Sequence, residues 1–186
     1  MDYATTIKDW IRSDEESMRA LQLASALRLD DWCIAAGFVR NLVWDKLHEK
    51  AERTPLTDID LIYFDPFEPR RAKDEALERV LKQRSRLPWS VKNQARMHIR
   101  NHDAPYTSTL HAMSYWVELE TAIGVRLSHD HSIELLAPFG LARLFACTMT
   151  LNPKSGKADA FQRRIADKNW LSQWPALRIN NSLSRD

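Results

Sequence analysis

The chain has 186 residues, a length typical of one domain that can bury a core of its own. Apolar residues make up 44% and charged residues 28%, with only 4 Gly and 8 Pro, which excludes a disordered, collagen-like or low-complexity protein. The 27 Lys and Arg residues nearly balance the 25 Asp and Glu residues, giving a net charge of +2. Such a balance argues against a protein that coats DNA, although a local basic groove remains compatible with it.

The cysteines and the apolar runs indicate a cellular compartment. The two cysteines, Cys33 and Cys147, do not suffice for a disulfide framework, and Cys33 lies in an apolar run typical of a buried thiol in a reducing environment. The N-terminus lacks the pattern of a signal peptide, and no apolar run approaches the roughly 18 residues that a membrane helix needs. We therefore expect a cytoplasmic protein that does not enter membranes.

The spacing of apolar residues predicts alternating helices and strands in the first part of the chain. Steps of three and four indicate helices, and short β-rich runs bounded by Gly or Pro indicate strands. The first predicted helix begins with a capping box, Ser13 followed by Glu16. In chain order, the predicted elements are a helix over 13–28, a strand over 32–36, a helix over 37–47, a strand over 58–65, a helix over 70–84 and an alternating segment over 89–100. The last is predicted as a strand whose second half is alternatively helical.

The pattern is weaker in the rest of the chain. It predicts a helix around 110–117, a hairpin of 125–127 with 133–135, helices over 138–147 and 157–173, and a disordered tail over 180–186. The alternation of helices and strands predicts a single α/β or α+β domain over 1–179.

The turn between the first strand and the next helix is a candidate phosphate site. A strand that ends at Gly37 and opens into a helix leaves free backbone N–H groups, which attract phosphate together with the helix dipole. Arg40, one turn into the helix, can grip the same phosphate with two hydrogen bonds. The alternative interpretation is an ordinary tight turn.

Two carboxylates on the next strand form a candidate metal site. Asp58 and Asp60 are two positions apart, so both side chains point to one face, about 6–7 Å from each other. Two like charges this close favour a bound cation, and hard oxygen ligands suit Mg²⁺ or Mn²⁺, completed by waters and substrate phosphates. The alternative is a solvent-facing acidic pair.

These two segments carry a resemblance. Gly37-Phe38-Val39-Arg40-Asn41-Leu42-Val43, followed by Thr57-Asp58-Ile59-Asp60-Leu61, is similar to the signature of the polymerase-β-like nucleotidyltransferase superfamily. The turn is closest to the Gly-Gly-x-Val-Arg-Asp pattern of tRNA-terminal (CCA-adding) nucleotidyltransferases. Over residues 15–178 the chain resembles a family of small bacterial nucleotidyltransferase-like proteins, through segments 89–98, 137–141, 168–170 and Trp174-Pro175. The resemblance implies a mixed sheet flanked by helices, with nucleotide at the turn and metal at the Asp pair.

The sequence departs from the superfamily pattern at two points. Phe38 stands where a second Gly or Ser is usual, so we expect a turn with less room for phosphate. The superfamily's third carboxylate lies on the next core strand, but the predicted strand from 89 to 97 contains no Asp or Glu, and Asn93 is its only short carboxamide. Glu134, on the predicted hairpin, is the best candidate for a third acid; its alternative is an exposed strand residue.

The resemblance implies a Mg²⁺-dependent transferase that moves a nucleotidyl group from an NTP, such as ATP, to an acceptor hydroxyl. Asp58 and Asp60 would be the catalytic metal ligands, and Gly37, Phe38 and Arg40 would bind the nucleotide. The acceptor is a small molecule, an RNA or a protein. Its candidate contacts lie on the neighbouring strand, with a solvated basic edge as the alternative interpretation: Lys92, Asn93, Arg96 and Arg100.

Two other functions remain open from the sequence. The missing third carboxylate favours an inactive nucleotide-binding or adaptor module with the same fold. The basic strand and the many aromatic residues favour a non-catalytic RNA-binding protein, whereas the small net charge disfavours it.

Overall fold

A computed structural model describes residues 2–180 of the chain. Its main sheet contains β1 (Trp32–Ala35), β2 (Ile59–Tyr63), β3 (Trp89–Asn93), β4 (Gly124–Leu127) and β5 (Ile133–Leu136). The strand order is β3-β2-β1-β4-β5, in which only β2 and β3 run parallel. A second, two-stranded parallel sheet pairs β6 (Thr148–Thr150) with β7 (Arg178–Asn180).

Helices flank the main sheet. They are α1 (Tyr3–Arg12), α2 (Glu15–Ser25), α3 (Gly37–Leu47), α4 (Arg71–Arg84), α5 (Met97–Asn101), α6 (Thr109–Met113), α7 (Ala142–Phe145), α8 (Ala158–Lys168) and α9 (Trp170–Gln173), with a 3₁₀ turn over Gln94–Arg96. The mixed sheet flanked by helices confirms the predicted fold class. Within the described part of the chain, no helix has the length and apolar character needed to cross a membrane.

The N-terminal helices differ from the sequence prediction. Helix α1 was not predicted; its amphipathic sequence buries Ile7 and Ile11. The predicted capping box is also wrong, because Ser13 ends α1 and the side chain of Asp14 caps α2 by accepting a hydrogen bond from the Ser17 N–H. The helix predicted over 13–28 is therefore confirmed in the shorter form of α2 (Glu15–Ser25), and α1 precedes it.

Several predicted elements prove shorter than expected. The alternating segment leaves the sheet at Asn93, whose side chain accepts from the Ala95 N–H and begins the 3₁₀ turn, so the helical alternative for its second half is confirmed. The helix expected over 157–173 is split at Asn169, which has a left-handed φ of 52°. The helices around 110–117 and 138–147 shrink to α6 and α7, whereas the hairpin β4–β5 is confirmed. Asn180 ends β7, and the remainder of the predicted tail lies outside the described residues.

The two faces of the sheet have different partners. Because side chains alternate along a strand, Ile34 and Leu61 share a large core with α2, α3 and α4. The opposite face carries Cys33 and Ile62, which pack against Met113 of α6. Both cysteines of the chain are buried free thiols. The side chain of Asp60 has the same parity as Ile62, so the acid pair belongs to this second face.

Helix α4 protects the exposed edge of the sheet. The edge strand β3 points backbone N–H groups outward, and two carboxylates of α4 accept them. Glu78 Oε2 lies 3.2 Å from the Val91 nitrogen, and Asp74 Oδ2 lies 3.1 Å from the Asn93 nitrogen. These contacts satisfy donors that would otherwise be open to pairing with another chain.

We predict that Glu78→Ala lowers the free energy of unfolding by about 1 kcal/mol, the usual net value of a hydrogen bond, and accelerates amide exchange at Val91. Glu75→Ala is the matched control. Both residues lie on α4 and both lose an i,i+4 ion pair, with Lys82 and Arg71 respectively, but only Glu78 bonds to β3. Urea unfolding and hydrogen exchange measure the difference, and equal losses in the two variants would contradict the edge-protecting role.

Candidate active site

The acid pair lies at the start of β2, next to the last residue of the antiparallel strand β1. Asp60 is the Cα partner of Ala35 on β1 and of Ser90 on β3. Asp58 immediately precedes the strand and is exposed, whereas Asp60 is partly buried, with 29% of its side chain accessible. Two positions apart on an extended segment, the two carboxylates share one face of the sheet.

The Asp60 carboxylate is in an unfavourable environment for its charge. Burial raises its pKa above the ordinary value of 3.8, and the neighbouring charge of Asp58 raises the pKa further. Lys92 and Ser90 act in the opposite direction: the Lys92 Nζ lies 3.7 Å from Asp60 Oδ1 and donates to Ser90 Oγ at 2.5 Å. The oxygen-only donors of Asp58 and Asp60 fit Mg²⁺ when substrate phosphates and waters complete the coordination.

The turn before α3 lies beside the acid pair. Ala36, not Gly37, has the glycine-like backbone, with φ 57° and ψ −122°. No side chain caps the helix N-terminus, and the first N–H groups of a helix have no carbonyl partner one turn earlier. The N–H groups of Gly37 and Phe38 are therefore positioned to meet an anion.

Phe38 does not crowd this turn. Its ring is buried in the core, so the expected loss of space for phosphate is wrong. The turn is formed by Ala36 and Gly37, which occupy the first and second glycine positions of the Gly-Gly-x-Val-Arg-Asp pattern, so the interpretation of Phe38 as the second position is wrong. Phe38 contributes only its backbone to the candidate site.

Arg40 is fixed beneath the turn. Only 6% of the residue is exposed, and its guanidinium lies over the rings of Trp44 and Trp170, at 5.1 and 4.6 Å from their centroids. It donates to Thr121 Oγ1 at 2.7 Å and to Asn41 Oδ1 at 2.9 Å. Burial lowers its pKa to about 10, partly offset by the charge of Glu118, so Arg40 stays a cation at neutral pH.

The guanidinium reaches back toward the turn, since a Cβ atom built on Gly37 would lie 3.6 Å from Arg40 Nη2. The sequence prediction placed Arg40 near the phosphate site but missed its supports. Thr121 and Trp170 are far from it in sequence, and no spacing rule connects them to α3. The Trp-rich C-terminal composition was the available signal, but it does not identify a partner.

The acceptor candidates do not share a strand. Lys92 lies on β3, but Arg96 is in the 3₁₀ turn, where it forms an ion pair with Asp74, and Arg100 is exposed on α5. The predicted common strand face is therefore wrong, because the chain turns helical after β3. The three basic residues nevertheless line one groove of about 560 Å³ between α4, β3 and α5.

Asn93 does not face an acceptor. Its side chain is buried, accepts from the Asp65 N–H at 3.0 Å and donates to the Asp65 carbonyl at 2.7 Å. In the parallel register it lies beside Tyr63, at the opposite end of β2 from the acid pair. Asn93 joins the end of β3 to the following loop, so its prediction as an acceptor contact is wrong.

Glu134 is not the third acid. It lies on β5, with β1 and β4 between it and β2, and it pairs with Arg126 at 2.8 Å. Among residues 2–180, no cluster of three or more His, Cys, Asp or Glu side chains is arranged to hold a metal ion. Ser90 occupies the position beside Asp60 on the next strand, so the candidate site has two acids.

We predict that Asp60→Asn raises the stability of the metal-free protein at neutral pH. Because the pKa of Asp60 is higher in the folded protein than its ordinary value of 3.8, the charged carboxylate destabilises the fold. This loss of stability is absent below pH 3.8, where the group is protonated in both states, and it develops as the pH rises through the folded pKa. Urea unfolding of both proteins across a pH series measures this. The curves should coincide in acid and separate toward neutrality; parallel curves would contradict the assigned environment.

Comparisons with known proteins identify a family and similar folds. A family model described as Nucleotidyltransferase matches residues 22–179. A protein whose NMR structure reveals a CCA-adding enzyme head domain is 34% identical, with 95% of each chain covered and a TM-score of 0.84. A CCA-adding enzyme in complex with CTP is 14% identical over 95% of this chain and 43% of its own, with a TM-score of 0.61. No match was found among curated proteins.

A tRNA-processing enzyme complex gives a similar result, with 15% identity over 87% of this chain and 43% of its own and a TM-score of 0.57. At such identities the two larger enzymes demonstrate a shared fold alone. This chain spans less than half of their length.

Proposed function

The chain belongs to the nucleotidyltransferase family, and we propose that it transfers a nucleotidyl group from an NTP to an acceptor hydroxyl. One observation carries the proposal: the antiparallel pairing of Ala35 with Asp60 brings the turn at the start of α3 beside the acid pair. A helix terminus with free N–H groups and a pair of carboxylates thus lie next to each other, which supports the binding of a metal-bound triphosphate.

Each group in the site has a distinct task in this proposal. The N–H groups of Gly37 and Phe38 orient the phosphates, and the buried cation of Arg40 keeps the potential at the turn positive. Asp58 and Asp60 would hold Mg²⁺ or Mn²⁺, which when bound neutralises charge on the triphosphate and on the departing pyrophosphate. The acceptor hydroxyl oxygen bonds to the α-phosphorus as the phosphorus–oxygen bond to pyrophosphate breaks in line, and the hydroxyl proton is released to solvent.

The substrates are proposed by analogy and by charge. A CCA-adding enzyme of the same fold binds CTP, so CTP and ATP are the first nucleotides to test. The groove between α4, β3 and α5 reaches Ser90, the neighbour of Asp60, and its lining is mixed in charge: Asp74, Glu75 and Glu78 lie opposite the basic residues. Arg96 is paired with Asp74, so Lys92 and the exposed Arg100 are the cations that support an anionic acceptor, for which an RNA 3′ end is the first choice. A small molecule or a protein acceptor is the alternative.

A second function is favoured by one observation. The described residues provide only two acids at the site, which also suits a nucleotide-binding module that has lost turnover. Incubation with each α-labelled NTP, Mg²⁺ or Mn²⁺, and either RNA or a small-molecule extract separates the two. Label on an acceptor identifies a transferase, whereas nucleotide retention without transfer identifies the binding module.

We predict that Asp58→Asn and Asp60→Asn each reduce transfer of label at least about 100-fold, the usual cost of removing a group that stabilises charge in the transition state. Asp167→Asn, an exposed change on α8, is the control and should retain activity. Circular dichroism checks that all three variants fold. Wild-type rates in either site variant would exclude Asp58 and Asp60 as the catalytic acids.

We predict that Gly37→Val weakens NTP binding by about 10-fold or more, because its branched side chain would cover the N–H groups at the start of α3. Gly37→Ala is the matched control. A Cβ at this position lies no closer than 3.5 Å to its nearest neighbours, so alanine fits the free protein. Calorimetric titration with CTP and ATP measures both, and unchanged affinity in the valine variant would place the phosphates elsewhere.

A further inference from the structure

The β3 side of the acid pair contains a lysine in place of an acid. The parallel register sets Ser90 directly beside Asp60, and Lys92 follows on the same face. The Lys92 side chain folds back along the strand: its Nζ donates to Ser90 Oγ at 2.5 Å and lies 3.7 Å from Asp60 Oδ1. The β3 side of Asp60 is therefore occupied by the Ser90 hydroxyl and the Lys92 ammonium.

We propose that Lys92 supplies a fixed positive charge in the position of a second metal ion, so that the site takes only the one divalent cation that accompanies the nucleotide. This inference rests on the proposed function. Two catalytic cations lie about 3.5–4 Å apart and need shared ligands on both sides. On the β3 side, however, the pair meets a hydroxyl that is already hydrogen-bonded and an ammonium.

The Lys92 ammonium cannot be a ligand of a divalent cation and instead competes with it for Asp60. A lysine ammonium has three donors and no acceptor, so it cannot ligate a cation and repels one. Asp58, at the exposed mouth of the site, has no ion pair in the described part of the chain and is free to hold the cation that arrives with the nucleotide. Asp60 would then lie between that cation and Lys92, in contact with both charges.

The position of Lys92 also fits a role toward the substrate. About 38% of its side chain is exposed, and the residue lines the groove that contains Arg96 and Arg100. An acceptor in this groove would approach the nucleotide past the ammonium. Lys92 is thus a positioning residue, which acts on the reaction through the charge that it places beside Asp60.

Electron paramagnetic resonance of Mn²⁺ tests the inference without turnover. The full chain is saturated with α,β-methylene-CTP or the ATP equivalent, whichever binds, and bound Mn²⁺ is counted per complex against nucleotide alone. We expect one Mn²⁺ per wild-type complex. The double variant Ser90→Asp, Lys92→Met supplies a carboxylate and removes the ammonium, and we expect it to bind a second Mn²⁺.

Two controls separate charge from shape. The variant Ser90→Asn, Lys92→Met has nearly the same side-chain volume as Ser90→Asp, Lys92→Met but carries an amide in place of the carboxylate. We expect it to bind one Mn²⁺ per complex. Lys46→Met removes an exposed lysine from the far end of α3 and should not change the count. In the single variant Lys92→Met, affinity for the first Mn²⁺ should rise by about 10-fold, since the repelling charge is gone.

The possible outcomes are distinct. Two Mn²⁺ ions in the wild-type complex, or a first-ion affinity that is unchanged in Lys92→Met, would overturn the role of Lys92 and leave the proposed function standing. A double variant that folds, as checked by circular dichroism, and still binds one ion would also overturn it. Failure of the wild-type chain to bind either nucleotide would remove the proposed function, and this inference with it.

Discussion

The candidate site depends on the register of the three strands β1, β2 and β3. Ala35, Asp60 and Ser90 are neighbours across these strands. Since adjacent strands lie about 4.8 Å apart, the turn before α3, the acid pair and Lys92 are brought close together. A slip of one residue in β2 would turn Asp60 into the core and Leu61 outward. The buried side chains of Leu61 and Tyr63 prevent that slip, so the hydrophobic face of the strand also fixes the polar one.

The sequence was sufficient for the parts of the site that depend on local spacing. Asp58 and Asp60 follow from period two on one strand, and the Gly37 turn follows from a strand that opens into a helix; both lie where that spacing predicts. The roles of Glu134 and Asn93 could not be found this way, because strand order and register are set by long-range packing. Once β3 is known to pair in parallel with β2, Ser90 is the residue beside Asp60, which strand alternation alone did not reveal.

The same limit explains why the position of Arg40 could be predicted from the sequence but its contacts could not. Its place one turn after Gly37 follows from helical spacing, but its environment comes from residues that the fold brings from far along the chain, Thr121 and Trp170. A guanidinium packed against two indole rings that also contact each other, and bonded to a hydroxyl and an amide, is strongly preorganised. Such an arginine contributes a fixed electric field at the turn more than a mobile grip on a phosphate.

The C-terminal segment is consequently part of the site, although it supplies no predicted ligand. Trp174 donates its indole N–H to Asp45 at 2.8 Å, and the same buried carboxylate accepts from the backbone and hydroxyl of Thr54. These bonds join the end of the chain to α3, and Trp170, one turn earlier, thereby covers Arg40. Burial of an arginine costs desolvation energy. The packing of Trp170 and Trp174 offsets that cost and keeps Arg40 buried. The family match up to residue 179 thus includes the helices that complete the environment of the phosphate turn.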